Sequence, residues 1–219
     1  MEIIPTPLTS TLQEFTTDMQ KLSPVFSIFH LDIADGVLVD GQTVTVEEIV
    51  PRLHEYKNAS FDFHLMVSDY KPLINYLKTV SSQIKIRNVF IHYKARPDKG
   101  FFVSQSGPFT IGLVINPDEQ VKELSTYYSF GLIPAVQIMT VNPGRQGQGF
   151  IKETLNKIEQ LRLLDYRNKI FLDGSINKET LPSILSQRYL PDILNVGSYF
   201  SRADNVKERL QILSQMLPS

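Results

Sequence analysis

Eight short runs of branched and aromatic residues recur along the chain, at Ile3–Pro7, Phe26–Ile33, Phe61–Met66, Val89–His92, Thr110–Ile115, Ala135–Met139, Lys169–Leu172 and Ile193–Val196. The segments between them are long enough to hold one helix each. Strands that are apolar throughout suit a parallel sheet covered on both faces, and parallel neighbours require such crossovers. Eight β-α units in 219 residues, slightly below the ~250 typical of the class, predict an α/β chain with the (β/α)8 TIM-barrel architecture, residues 1–219 forming a single domain. A doubly wound open sheet is the alternative. In a barrel the chemistry sits on the loops that follow the strands.

Helix signals fit this alternation. Asn116-Pro117-Asp118-Glu119 offers an N-cap, a proline at the first helical position and an acid placed for a capping box. From Phe150 to Leu164, Ile151, Leu155, Ile158, Leu161 and Leu163 fall roughly at helical spacing. Thr45 and Glu48 also resemble a capping box, but Pro51 would then fall inside the helix, which moves the expected start toward Pro51.

Composition narrows the partners. Twenty-two Lys and Arg against 23 Asp and Glu give a net charge of −1 with no basic run, which argues against nucleic acid and an anionic membrane surface and favours a small molecule. No apolar run reaches the ~18 residues that a bilayer span needs, and MEIIPTPLTS lacks the basic start and apolar middle of a signal peptide, so a cytoplasmic protein is expected. The chain has no cysteine, so a metal could be held only by His and carboxylate.

The ionisable residues cluster on this scheme. His30, His64 and His92 fall at or near the ends of the second, third and fourth strands, Asp32 follows His30 on the same strand face, and Asp173 closes the seventh strand. His30, Asp32, His64 and Asp173 could converge on one barrel mouth, offering two nitrogen and two oxygen ligands to Zn²⁺, Fe²⁺, Mn²⁺ or Co²⁺. A single His at a strand end more often bonds to backbone, and an Asp before Gly most often serves a turn. His54, between Leu53 and Glu55, reads as a solvated surface residue.

Glycine-rich loops give a second signal. NPGRQGQG, Asn142 to Gly149, follows the sixth strand, DGS follows the seventh, and Gly197-Ser198 follows the eighth. Backbone N–H groups in such loops can approach an anion, and in many barrels the loops after strands seven and eight bind phosphate. Together the three loops predict a phosphorylated ligand.

The segments HLDIADG, FHLMV, IHYKA, GLVINP, MTVNPGRQGQGFI, LDGSI and NVGSYF resemble, in order and spacing, the motifs of the ribulose-phosphate 3-epimerase family, and the match runs from IIPTPL to Phe200. The resemblance implies a (β/α)8 barrel with one divalent metal ion, interconverting D-ribulose 5-phosphate and D-xylulose 5-phosphate. It implies His30, Asp32, His64 and Asp173 as metal ligands, with Asp32 and Asp173 also the acid/base pair. Inverting a carbon beside a ketone needs a carboxylate on each side of the plane. By the same correspondence Met66 and Met139 pack against the flat intermediate, His92 lies near the substrate, and Thr6, Gly144, Arg145, Gly147, Gly174, Ser175, Gly197 and Ser198 contact the substrate or its phosphate. A homo-oligomer is implied as well.

Several positions depart from the family's usual pattern. Ala34 stands for Met, Thr6 for Ser, Leu38 to Gly41 for FVPN, Arg145 and Gln146 for Phe-Gly, and Ser175 for Gly. They cluster around the substrate rather than the metal, which leaves open a six-carbon ketose phosphate such as D-allulose 6-phosphate. A non-catalytic sugar-phosphate binder is a further alternative, opposed by the intact Asp32 and Asp173. A lyase or decarboxylase built around Lys94 fits less well.

Overall fold

The computed structural model describes residues 1–103, 107–144 and 147–218. Its strands are β1 Glu2–Pro5, β2 Ile28–Ala34, β3 Ser60–Met66, β4 Lys85–His92, β5 Thr110–Ile115, β6 Ala135–Met139, β7 Lys169–Asp173 and β8 Ile193–Val196. All pair in parallel in the order β1-β8-β7-β6-β5-β4-β3-β2. Beside β1, Asp32 N–H of β2 donates to the carbonyl of Pro7, just past the strand, at 3.5 Å. The result is a single-domain, nearly closed (β/α)8 barrel rather than a doubly wound sheet. The helices are α1 Leu12–Leu22, α2 Val46–Leu53, α3 Lys71–Val80, α4 Gly100–Val103, α5 Val121–Tyr127, α6 Asn156–Leu163, α7 Leu181–Leu185, α8 Ser198–Ser201 and α9 Val206–Met216. Among the described residues no helix is long and apolar enough to cross a membrane.

Three expected helix starts differ. α2 begins at Val46, not near Pro51, because Thr45 Oγ1 accepts from Glu48 N–H at 3.3 Å while Glu48 Oε2 accepts from Thr45 N–H at 2.9 Å. That reciprocal cap fixes the first turn, and Pro51 in the second turn forfeits one intrahelical donor. α5 starts at Val121 rather than after Asn116. The Asn116 side chain is buried instead of capping, and Glu119 turns back to accept from Asn116 N–H at 2.7 Å, so Asn116 to Glu119 close a turn. The segment expected to be helical from Phe150 opens at Lys152 as a 3₁₀ turn that runs into α6.

The larger apolar core lies between the sheet and its helices. A second one fills the barrel interior with Ile4, Phe90, Val114, Ala135, Met139, Val141, Phe171 and Ile193. Phe90 and Phe171 meet edge-on there, centroids 4.7 Å apart. Gly112 on β5 makes room for them, since a methyl group at that position would lie 2.6 Å from two carbons of the Phe90 ring. Gly112→Ala is therefore expected to destabilise the fold by about 1–3 kcal/mol through overpacking. Thermal unfolding reads the loss, and Phe90→Leu on the same background should recover part of it; an unshifted midpoint would mean that the ring has space to yield.

Candidate active site

Residues two apart on a strand share a face, so β2 sends both His30 and Asp32 inward. Its register with β3 sets Asp32 opposite His64, and the register of β6 with β7 sets Met139 opposite Asp173. One ligand atom from each of His30, Asp32, His64 and Asp173 falls within 4.8 Å of every other, so sequence-distant residues form one group that could hold a metal ion. His64 Nδ1 lies 2.8 Å from Asp32 Oδ1 and 3.6 Å from Asp173 Oδ2. His30 Nε2 lies 3.5 Å from the same Asp173 oxygen.

Burial sets the electrostatics. Withdrawal from water pushes the Asp32 carboxyl well up and drives the His30 imidazole well down, while His64 falls to about 4 for the same reason. Asp173 is pushed up to about 8, by burial first and then by the charge of Asp32. The cluster holds neutral imidazoles, which are ready ligands, and carboxyls that lack compensating positive charge among the described residues. Asp62, lower on the same strand as His64, shows the contrast: Arg87 Nε stands 3.4 Å from its Oδ1 and Asn88 donates to that oxygen at 2.7 Å. Both ring nitrogens of His30 are buried without a hydrogen-bond partner among the described residues. Orphaned imidazole nitrogens beside two unneutralised carboxyls are a donor set suited to a divalent cation.

Thr6, Asp32, His64, Met66, Met139, Gly144, Gly147, Asp173, Gly174, Ser175, Gly197 and Ser198 line one cavity of about 530 Å3, counting its open mouth. His30 and His92 lie outside that lining. His92 sits behind His64, its Nε2 2.7 Å from His64 Nε2, and so steadies that ring. Arg145 and Gln146 lie outside the described residues. His54 is exposed at the C-terminal end of α2, as expected.

The loops around the mouth are tied together. Asp35 Oδ1 accepts from Val37 and Leu38 N–H and its Oδ2 from Ser68, which joins the loops after β2 and β3. Gly41 packs so closely on the loop after β6 that a methyl group there would collide with the Gly144 carbonyl. Thr140 donates from its backbone and its hydroxyl to the Asp173 carbonyl, which fixes the end of β7. Ser175 takes the left-handed backbone that glycine adopts without strain, φ 50°, and its hydroxyl donates to the Gln148 carbonyl.

Sequence reasoning missed Gln137 and Asn195. Gln137 Nε2 donates to Asp173 Oδ2 at 2.9 Å, and Asn195 Nδ2 donates to Gln137 Oε1 at 3.3 Å. The available signal was one amide in each of two otherwise apolar strands, AVQIM and ILNV.

Comparison with known proteins agrees with this geometry. The model of the ribulose-phosphate 3 epimerase family matches residues 2–200. Ribulose-phosphate 3-epimerase of Bacillus subtilis is 29% identical over 163 residues, covering 71% of this chain and 72% of that protein. The same-named enzyme of Helicobacter pylori strain J99 is 25% identical over 224 residues, covering 99% of this chain and all of that protein. Among solved structures, KGPDC from Streptococcus mutans superposes with a TM-score of 0.69 at 10% identity, over 97% of this chain and 95% of that one. 3-Hexulose-6-phosphate synthase from Salmonella typhimurium gives 0.66 at 14%, over 99% and 98%; at such identities these likenesses concern the fold alone. With its family match running from the first strand through the last, the chain belongs to the ribulose-phosphate 3 epimerase family and is an isomerase, an epimerase acting on carbohydrates.

Proposed function

We propose that the chain is a metal-dependent 3-epimerase that interconverts D-ribulose 5-phosphate and D-xylulose 5-phosphate. The observation that carries this reading is the pair Asp32 and Asp173, two carboxyls on separate strands facing one cavity, set among imidazoles and, among the described residues, not beside Lys or Arg. One carboxylate removes the proton from C3 on one side of the sugar, and the other carboxyl delivers a proton to the opposite side. The electron pair left by the first transfer moves toward the C2 oxygen, giving an enediolate, and returns when the second proton arrives. His30, Asp32, His64 and Asp173 would hold the divalent cation, which when bound supplies positive charge against the enediolate oxygen. Met66 and Met139 give the flat intermediate an apolar surface. Thr6 Oγ1, buried at the cavity wall without a hydrogen-bond partner among the described residues, is a polar handle for the substrate. Backbone N–H groups of the loops at Gly144 and Gly147, Gly174 and Ser175, and Gly197 and Ser198 receive the phosphate.

Asp32→Asn and Asp173→Asn are each expected to lower kcat for the pentulose phosphate by about 10²–10⁴-fold, the scale of a lost general acid or base. A coupled assay with D-ribulose 5-phosphate and D-allulose 6-phosphate in parallel checks this. Faster turnover of the six-carbon substrate would reassign the sugar, and no turnover of either by metal-loaded protein would reduce the chain to a sugar-phosphate binder.

Metal binding should depend on pH with a defined sign. In the metal-free fold the raised Asp carboxyls keep protons that must leave before they can ligate, whereas the lowered histidines are already neutral. From about 6.5, above which the histidines are neutral in the folded and unfolded chain alike, toward about 8, metal-free stability should therefore fall as pH rises, because the fold keeps on Asp173 a proton that the unfolded chain has lost, while Co²⁺ affinity rises over the same interval. Calorimetry in buffers of different ionisation enthalpy should detect proton release on binding; an affinity that fell with pH would contradict this assignment.

A further inference from the structure

Gln137 and Asn195 are buried amides in the barrel interior, where a leucine and a valine would fill similar space without the cost of enclosing a polar group. Gln137 precedes Met139 by two residues on β6 and so faces the same interior, and its Nε2 lies 3.5 Å from Met139 Sδ as well as 2.9 Å from Asp173 Oδ2. Asn195 is the partner of Asp173 in the β7–β8 register.

The direction of these bonds is constrained by chemistry. An ionised carboxylate only accepts, whereas a primary amide can present its oxygen or its NH₂. The Asn195 Nδ2 donor occupies Gln137 Oε1, so the NH₂ end of Gln137 faces Asp173. The oxygen it engages, Oδ2, is also the one 3.5 Å from His30 Nε2 and 3.6 Å from His64 Nδ1. The amide thus opposes exchange of the two carboxylate oxygens and leaves Oδ1 without that tie.

We infer that Gln137 is a positioning residue for Asp173, held in its donor orientation by Asn195, and that this pair fixes which Asp173 oxygen joins the imidazole ligands and which is left for the substrate's proton. The inference rests on the proposed role of Asp173 in proton transfer. Neither amide touches the reacting atoms; both act through the carboxylate.

The test compares wild type, Gln137→Leu, Asn195→Val and the double variant, each loaded with Co²⁺, by visible absorption, Co²⁺ titration and steady-state kinetics on D-ribulose 5-phosphate. Gln137→Leu is expected to keep its thermal midpoint, alter the Co²⁺ spectrum, weaken Co²⁺ binding by about 10–100-fold and reduce kcat over a similar range, with KM unchanged. Asn195→Val should shift the same readouts less, and the double variant should lose less than the two single losses combined, because Asn195 acts on Asp173 in part through Gln137. If Gln137→Leu does not fold, Asn195→Val carries the test by itself. A wild-type spectrum, affinity and kcat in Gln137→Leu, or in Asn195→Val where only that variant folds, would overturn the inference, as would additive effects in the double variant. Wild-type protein that neither binds Co²⁺ nor turns over the ketose phosphate would overturn the proposed function, and this inference with it.

Discussion

Two carboxyls set among neutral imidazoles, in a barrel interior that is otherwise largely apolar, are the constraint on which the rest of the site depends. Charged in isolation, such a pair would repel across a few ångströms of low-dielectric protein, and burial raises both carboxyls accordingly. The protein answers the same problem at Asp62 with Arg87 and Asn88, a partnership internal to the chain. At Asp32 and Asp173 it offers histidines instead. A divalent cation would resolve the imbalance there, and a carboxylate whose charge is balanced by a removable ion would remain available for proton transfer in a way that one locked to guanidinium is not.

The parallel barrel makes this arrangement possible. Strands that run in one direction deliver all their C-terminal ends to one mouth, and strand register decides which residues meet. Asp32 faces His64 across β2 and β3, and Asp173 has Met139 and Asn195 on its two sides. Around that centre Asp35 bonds to Ser68, Gly41 packs on Gly144, and Ser175 bonds to Gln148, each bond or contact joining loops that leave different strands. The loops therefore form one rim, although each belongs to a different β-α unit.

Much of this was legible in the chain because periodicity and strand order are local properties. The eight apolar runs located every strand, and β5, β6 and β8 have the expected bounds. His30, Asp32, His64 and Asp173 could be grouped because each falls at or near a strand end, and strand ends share a mouth. What stayed hidden depended on side-chain direction across the barrel. Asn116 carried the sequence signature of a cap but turns inward, where burial replaces capping, and α5 begins later as a result. Gln137 and Asn195 look like isolated polar residues in apolar strands until β6, β7 and β8 are placed side by side. His92 reads as a residue near the substrate; it is outside the cavity lining and its Nε2 meets His64 Nε2. Strand order alone does not say which side chains reach the cavity.

The origin of the hydrogen at C3 distinguishes two carboxylates from a single proton carrier. Metal-loaded protein, given D-ribulose 5-phosphate with ordinary hydrogen at C3 in D₂O and followed by NMR through the first turnovers, should form D-xylulose 5-phosphate with deuterium at C3, because the proton leaves to one carboxylate and its replacement comes from the other. Product that keeps the substrate's own hydrogen at C3 would show a single group carrying it from one face to the other, and would contradict the division of labour between Asp32 and Asp173.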